Sequence, residues 1–314
     1  MLKNLYLGID IGGTRIKVAI VNSEGIIFEE SSIATDTKSK PVNVLKGIVN
    51  VAKNFKNYSK IKSIGVGIAG DVCFQTGVVR FSPNLKMWRN IKLREILTNL
   101  TNKKVYVDND ANAASIGAFY LDAKGKTTDL VCITLGTGVG GGLILDKKLY
   151  RGITGTAGEV GHITIDAYGK KCNCGNRGCI ETFVGAKYLS KFVQDYLKNK
   201  NSKIINRLVG KNYKLITPQL LAQAAKEGDK IAKRIWKMVG EKLGIFLSII
   251  INFVNPDTII LCGGLSHAKK YFMKYILQEI KTRAFKSATK ACKIVVSESN
   301  HKLGVVGAAM LSEQ

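Results

Sequence analysis

One local pattern occurs twice in this chain and narrows the choice of fold more than any other feature: an apolar strand, a glycine-rich turn and two further strands in hairpin order. Residues 5–10 form the first strand, 11–14 the turn, 16–21 the second strand, 22–25 a polar turn and 26–29 a third strand. The same order begins again at 130–135. It runs through the turn 136–138, a strand around 142–145, the turn 146–148 and a short strand after it. Each unit opens a stretch in which strands and helical patterns alternate. In the first, Val44, Leu45, Ile48, Ala52 and Phe55 recur at helical spacing within 42–55, and strands follow at 64–69 and 104–107, then a helix at 111–121. In the second, Thr217 and Pro218 read as an N-cap with proline at the first helical position. A helix near 230–253 then precedes a strand at 258–262. The alternation predicts α/β layers with sites at strand ends, and the repetition predicts a duplicated domain.

The 314 residues suffice for two buried cores, and 46% hydrophobic with 23% charged residues is ordinary for a globular protein. The N-terminus has no secretion-signal pattern. The longest apolar run, 245–254, is about half of the roughly 20 residues that span a bilayer, and Ser248 and Asn252 interrupt it. A cytoplasmic chain with no membrane partner is expected. The net charge of +25 would suit a nucleic-acid binder. Yet the positive residues are spread along the chain, in pairs no longer than Lys103-Lys104, Lys147-Lys148 and Lys170-Lys171, with no basic arm or basic-region helix. General lysine abundance accounts for this, and no nucleic-acid partner is expected. A basic surface still favours the approach of an anionic nucleotide.

The first glycine turn reads Asp10-Ile11-Gly12-Gly13-Thr14. Such a turn can aim several backbone N–H groups into one concavity that suits phosphate. The common nucleotide motifs are absent: there is no G-x-x-x-x-G-K-[ST], and Ile16, Val18, Ile20 and Val21 make the following element a strand, not a helix. A phosphate-gripping hairpin with an aspartate at its entry is the pattern of actin-like ATPases, and Gly136-Thr137-Gly138 is its counterpart in the second half. A plain tight hairpin also uses glycine, so either turn alone leaves both readings open; two in register favour the nucleotide. A third pair, Gly263-Gly264, ends a strand ahead of a helix from about Ser266 and suits close approach to adenine or ribose.

His162, Cys172, Cys174 and Cys179 lie within one short stretch, with Gly175 and Gly178 allowing sharp turns between them. Three thiolates and one imidazole make a closed tetrahedral Zn²⁺ site, structural in kind, and the absence of an export signal argues against disulfides. Cys73, Cys132, Cys262 and Cys292 are expected to be buried packing residues. Glu159 and Glu181 flank the cluster, and His162 can bind metal through one ring nitrogen while the other donates a hydrogen bond. At the end of the strand at 104–107 stand Asp108, Asn109, Asp110, Ala111 and Asn112. Asp110 suits the group that takes a proton from an attacking hydroxyl in phosphoryl transfer, with Asn109 holding a neighbouring hydroxyl. Capping of the next helix by Asp108 or Asp110 is the other reading.

Together these residues resemble the ROK family (repressors, uncharacterised reading frames and sugar kinases), and within it the bacterial glucokinase-like members. The resemblance covers nearly the whole chain: DIGGT at 10–14, GVGIAG at 65–70, SPNL at 82–85 with Trp88 nearby, DNDAN at 108–112, LGTGVGGG at 135–142, GEVGH at 158–162, CNCGNRGCIE at 172–181 and GGLS at 263–266. It implies a two-domain actin-like (ribonuclease H-like) ATPase fold whose domains close over an interdomain cleft. Domain one is expected at 1–112, completed by a C-terminal helix within 303–314, and domain two at 113–302 with the zinc loop at 158–181. It implies ATP-dependent phosphorylation of a sugar, glucose first and N-acetylmannosamine or fructose as alternatives, with Asp110 as general base. Asn109, Asp110, Glu159, His162 and Glu181, with Asn84 and Gly70, would hold the sugar. Asp10, Gly12, Gly13, Thr14, Lys17, Thr137, Gly138, Gly263 and Gly264 would bind ATP, whose phosphates Mg²⁺ bridges. His162 and the three cysteines would hold structural zinc, and a homodimer is implied. The family's repressors carry a winged helix-turn-helix ahead of the kinase-like part, and with the first strand near Leu5 no such domain is expected. Asp71 departs from the uncharged residue that many relatives have after Gly70, which leaves the shape of that loop in question.

Overall fold

The computed structural model describes residues 4–314. Strands β1 (Leu5–Ile11), β2 (Arg15–Asn22) and β3 (Ile27–Ala34) are followed by helix α1 (Pro41–Lys53) and strand β4 (Ile61–Ile68). Three short strands come next, β5 (Asp71–Cys73), β6 (Val78–Phe81) and β7 (Arg89–Lys92), then α2 (Leu93–Thr101), β8 (Lys104–Asn109) and α3 (Asp110–Leu121). The second half contains β9 (Leu130–Leu135), β10 (Val139–Leu145), β11 (Lys148–Tyr150) and helices α4 (Glu181–Val184), α5 (Ala186–Leu197), α6 (Lys203–Val209), α7 (Pro218–Lys226) and α8 (Lys230–Val254). It closes with β12 (Thr258–Cys262), α9 (Lys269–Arg283), α10 (Lys286–Ala291), β13 (Lys293–Val296) and α11 (Leu303–Ala309).

The duplication is written into the strand order. One five-stranded sheet runs β3-β2-β1-β4-β8 and the other β11-β10-β9-β12-β13, so in each a hairpin lies on one side of the central strand and later strands on the other. β1 pairs antiparallel with β2 and parallel with β4, which pairs parallel with β8. β10 pairs antiparallel with β11, and β12 parallel with β13. Buried on both faces, β1 and β4 read as nearly continuous apolar runs. β3, at the sheet edge, alternates half-buried with exposed residues and continues to Ala34, beyond the expected end at 29.

The chain divides into two compact units. The first holds 4–132 of the described residues together with 142–158 and 298–314; the second holds 133–141 and 159–297. In the first unit, Leu5, Leu7, Ile9 and Ile11 of β1 and Ile64, Val66 and Ile68 of β4 share one core with Val44, Leu45 and Ile48 of α1 and Leu93 and Leu97 of α2. The alternation of a strand sends Gly8 and Gly65 to the opposite face. There a Cβ would lie 2.0 Å from the carbonyl oxygen of Val305 at Gly8 and 1.7 Å from that of Ala308 at Gly65, so α11 rests its backbone on the sheet. α11 also meets α3 at this distance: a Cβ on Gly307 would stand 1.6 Å from the Ala113 oxygen, and one on Gly117 2.1 Å from that of Leu303. This explains why the boundary expected at 112 falls inside α3. The later turns of α3 stay with the first unit because they pack on the C-terminal helix, which ends at Ala309 and continues as a 3₁₀ turn over Met310–Glu313.

In the second unit α8 packs on α9 through Gly240 and Gly244, where a Cβ would meet the carbonyl oxygens of Phe272 at 2.5 Å and Ile276 at 2.9 Å. No helix among the described residues is long and apolar enough to cross a membrane. The helix expected from Ser266 begins at Lys269, after a 3₁₀ turn at Gly264–Ala268. Cys132 and Cys262 are buried as expected, whereas Cys73 and Cys292 are only half-buried, because each sits at an outer position of its strand or strand entry.

Gly307→Ala should destabilise the protein by about 1–3 kcal/mol, since the backbone of α3 leaves no room for the added methyl. Gly47→Ala in α1, where nothing lies within 4 Å of the new Cβ, should be neutral or stabilising by about 0.5–1 kcal/mol. Urea denaturation of the two variants against wild type measures both.

Candidate functional site

The first unit gathers its polar residues where β8 passes into α3. Asn109 is the N-cap: its Oδ1 accepts from the backbone N–H of Ala111 at 2.7 Å and of Asn112 at 3.4 Å. Its Nδ2 donates to the Gly70 carbonyl at 2.9 Å, which leaves one amide hydrogen for a ligand. Asp108 is only 3% exposed. One of its oxygens accepts from Asn109 N and Asn112 Nδ2, both at 2.8 Å, and the other from Arg151 Nε at 2.7 Å. The Arg151 guanidinium lies over the Phe74 ring, 5.0 Å from its centroid. The cap is therefore neither aspartate. Asp110 is the first helical residue, half-buried, where the helix dipole favours a negative charge.

The first glycine turn belongs to the same unit. Gly12 N donates to Arg15 O at 3.1 Å, and Thr35 holds the turn from outside, its Oγ1 on the Gly12 carbonyl at 2.8 Å and its N on that of Thr14 at 3.0 Å. A Cβ on Gly13 would lie 2.8 Å from the Cβ of Asn84, so these two expected ligand-binding residues stand against each other. Asp10 packs against α11, where a Cβ on Gly304 would come within 2.5 Å of its Oδ2. Burial pushes the Asp10 carboxyl up to about 6; Lys17 opposes this and the charge of Asp110 adds to it. Lys17 Nζ also donates to the His301 carbonyl at 2.6 Å. Gly70 has φ of 139°, and a side chain there would strike the Phe81 carbonyl. Asp71, beyond it, pairs with Arg80 at 2.7 Å between two exposed side chains of the small sheet β5-β6-β7.

In the second unit the four expected metal-binding residues come together. One ligand atom from each of His162, Cys172, Cys174 and Cys179 lies within 4.8 Å of all the others. Cys172 Sγ is 3.7 Å from His162 Nδ1, and Cys174 Sγ is 3.7 Å from Cys179 Sγ. Thiolates bound to one tetrahedral zinc at about 2.3 Å stand about 3.8 Å apart, so the residues fit a zinc ion. The chain is held in this shape by Cys172 N on the Asn176 carbonyl at 2.7 Å, Gly178 N on that of Lys170 at 2.9 Å and a bridge between Thr164 and Cys179. The backbone N–H of Asn176 lowers the Cys174 thiol, while burial and the neighbouring sulfurs push Cys179 up to about 12. Three thiolates side by side need a cation.

His162 turns Nδ1 to this cluster and Nε2 toward Glu159, 3.9 Å away, so its two nitrogens face different partners. Glu181 accepts from Val139 N at 2.9 Å through Oε2. The second glycine turn is braced further by Ala186 N on the Gly136 carbonyl at 3.0 Å and Lys187 N on that of Thr137 at 3.3 Å. Gly263 has φ of 90°, and a Cβ would lie 2.5 Å from the Leu135 carbonyl, so glycine here is required by the sheet itself. A Cβ on Gly264 would meet only Gln219 Nε2, at 3.8 Å, which leaves its surroundings open. Two residues escaped sequence reasoning, Arg151 and Tyr188. The Tyr188 hydroxyl accepts from Asn173 N at 3.0 Å and reaches Cys172 Sγ at 4.0 Å. Their only signal was indirect: a buried aspartate implies a cation, and a metal knot implies bracing.

Residues 6–314 match the ROK family. A glucokinase of Thermotoga maritima is 30% identical over 314 residues, covering 100% of this chain and 99% of the relative. The chain belongs to the ROK family. A xylose repressor of Caldicellulosiruptor bescii is 35% identical over 308 residues, covering 96% of this chain and 76% of the repressor. Among solved structures, a ROK family glucokinase from Streptomyces griseus in complex with glucose and AMPPNP is 29% identical, with a TM-score of 0.79 over 98% of this chain and 99% of that one. The ROK chain accordingly has the actin-like ATPase fold, each five-stranded sheet being one copy of its repeat.

Elemental analysis of the purified ROK protein should find one zinc per chain, and Cys174→Ser should lose it to a chelator that leaves wild type loaded. Asp10 sets a pH dependence. Its carboxyl titrates near 6 in the folded chain and near 3.8 in the unfolded one, so the folded state holds the extra proton and wild type loses stability as pH rises from about 4 to about 6. Asp10→Asn has no such loss and should gain on wild type across that window by up to about 3 kcal/mol, then keep a constant margin, as read by urea unfolding at successive pH values.

Proposed function

We propose that this chain is an ATP-dependent sugar kinase that transfers the γ-phosphoryl group to a hydroxyl of a hexose, with glucose the leading substrate. The observation that supports it most is the division of duties at the β8–α3 junction. Asn109 caps the helix and Asp108 anchors the junction to Arg151, which fixes the backbone on which Asp110 stands as the first helical residue. A half-buried carboxylate at the end of a strand and the first position of a helix, its Oδ1 accepting from Ala111 N at 3.0 Å, suits the proton acceptor of phosphoryl transfer. Asp110 takes the proton of the attacking hydroxyl as the new phosphorus–oxygen bond forms. Asn109, through its remaining amide hydrogen, and Glu159, His162 and Glu181 hold the other hydroxyls, with Asn84 and Gly70 beside them.

The turns at Gly12–Thr14 and Thr137–Gly138 hold the phosphates by backbone N–H groups, and Gly263 and Gly264 line the adenosine side. Asp10, with the charge of Asp110 acting on it, is the acidic site at which Mg²⁺ on the nucleotide would neutralise phosphate charge. Lys17, near Asp10, adds a positive charge on the same side. Zinc bound by His162, Cys172, Cys174 and Cys179 fixes the loop and the orientation of the imidazole.

The similarity to the xylose repressor supports a second reading, a sugar-responsive sensor built on the same fold. Catalysis is favoured by the joint presence of Asp110 and both glycine turns. A coupled assay of ADP release against glucose, N-acetylmannosamine, fructose and xylose separates them: turnover with a hexose supports the kinase, and binding of sugar with no ADP release supports the sensor. Asp110→Asn should lower kcat by about 10²–10⁴-fold and leave the sugar Kd within about threefold of wild type. Near-normal turnover in that variant removes Asp110 from the role of base.

A further inference from the structure

Within the second unit, the metal knot and the second glycine turn share a single short segment. Glu181 follows Cys179, the last of the clustered thiols, by two positions and begins α4. Its Oε2 accepts from Val139 N at 2.9 Å, at the end of the turn Gly136–Thr137–Gly138. The fit leaves no slack, since a Cβ on Gly138 would stand 2.2 Å from that same oxygen. The other oxygen of Glu181 lies 4.0 Å from Cys172 Sγ, so one carboxylate faces both the turn and the knot. A few residues on, Ala186 N and Lys187 N at the start of α5 donate to the carbonyls of Gly136 and Thr137. Gly185 completes the fit, with its own Cβ position 3.3 Å from the Cα of Gly138. Glu181, Ala186 and Lys187, which hold Val139 N and the carbonyls of Gly136 and Thr137, thus all lie in the segment that follows the last metal-cluster cysteine.

We propose that Glu181 is a positioning residue for the nucleotide side of the site: it carries the geometry of the metal knot into the turn at 136–138, so that metal occupancy sets nucleotide affinity as well as sugar affinity. The inference rests on the reading of Thr137 and Gly138 as phosphate-binding residues and adds a route by which the knot governs them. The physical content is a hydrogen bond from a backbone N–H to a carboxylate. Without the acceptor, Val139 N loses its partner and the turn is free to rotate its N–H groups away from the direction a phosphate needs. A bond of this charge-assisted kind is worth about 1.5–3 kcal/mol, enough for a tenfold or larger change in affinity.

Equilibrium binding of ADP, measured by calorimetry with no sugar present, tests the idea on the metal-loaded protein. Glu181→Ala should weaken ADP binding about tenfold or more, whereas Glu181→Gln, which keeps a neutral carbonyl acceptor for Val139 N, should lose clearly less, about three- to fivefold. Metal-stripped wild type should show a loss like that of Glu181→Ala and recover on addition of Zn²⁺. Zinc content and the melting temperature of each variant, measured in parallel, identify any variant that has lost the knot or the fold. Equal ADP affinity in wild type and a zinc-loaded Glu181→Ala overturns the proposal, as does equal weakening by Gln and Ala. Wild type that binds no ADP at all overturns instead the nucleotide reading of the turn, so the two failures are distinct.

Discussion

A carboxylate withdrawn from water at the end of β8 is the constraint on which the first unit of the structure turns. Asp108 is buried, and an ion taken out of water is tolerated only when its lone pairs are filled and an opposite charge stands close. Both conditions are met by groups that do other work. Asn109 N and Asn112 Nδ2 belong to the first turn of α3, so filling the lone pairs of Asp108 also fixes how that helix leaves the strand. Arg151 supplies the charge and lies over the Phe74 ring, 5.0 Å from its centroid, a contact that a weakly hydrated guanidinium accepts readily. Breaking such a pair by removing one partner typically costs about 3–5 kcal/mol, because the other charge is left buried and alone. The strand-to-helix junction is therefore rigid, and rigidity there is inherited by Asn109 and Asp110.

The two halves solve one problem with different parts. Each sheet places a hairpin beside its central strand and a glycine turn at the tip, and in each the turn's carbonyls are held from outside. The first turn is held by Thr35, which directly follows the edge strand β3, so its support is local to the hairpin. The second has only the three-residue β11 in the place of β3, and the support comes from α4 and α5. A shorter edge strand leaves the second turn dependent on a distant segment, and a metal-stiffened loop is a compact way to make such a segment rigid.

The repetition of strand, turn and strand was legible because it is a matter of period and punctuation, both local properties. The metal cluster was legible because its donors lie close together along the chain and few other uses suit three thiols and an imidazole. The sheet β5-β6-β7 was not legible: its strands have three or four residues and carry charges such as Asp71, Arg80 and Lys92 at exposed positions, so no alternation develops. The seat of α11 was not legible either, because Gly8, Gly65, Gly117 and Gly307 are glycine on account of backbones that arrive from far along the chain. Local sequence offered capping by Asp108 or Asp110; the structure gives it to Asn109, because burial beside Arg151 engages the first aspartate and helix position N1 the second. Gly263 carries the opposite lesson. Its positive φ and the Leu135 carbonyl account for the glycine, so the adenosine reading of that pair leans on Gly264.

The two glutamates that flank the metal knot look equivalent in sequence, and their surroundings separate them. Glu159 has a side chain 62% exposed, and its Oε2 stands 3.9 Å from His162 Nε2, too far for a hydrogen bond, so little holds it in place. Such a carboxylate loses little when it exchanges water for a sugar hydroxyl, which is the property a ligand-facing group needs. Glu181 is half-buried, and one oxygen is committed to Val139 N close against Gly138. A residue so placed is preorganised at the expense of freedom, and any hydroxyl it accepts must come to it. The knot thus presents one exposed and one anchored carboxylate, and on the proposed reading of both as sugar ligands, selection among sugars tracks the anchored one, since only a rigid acceptor penalises a hydroxyl of the wrong configuration.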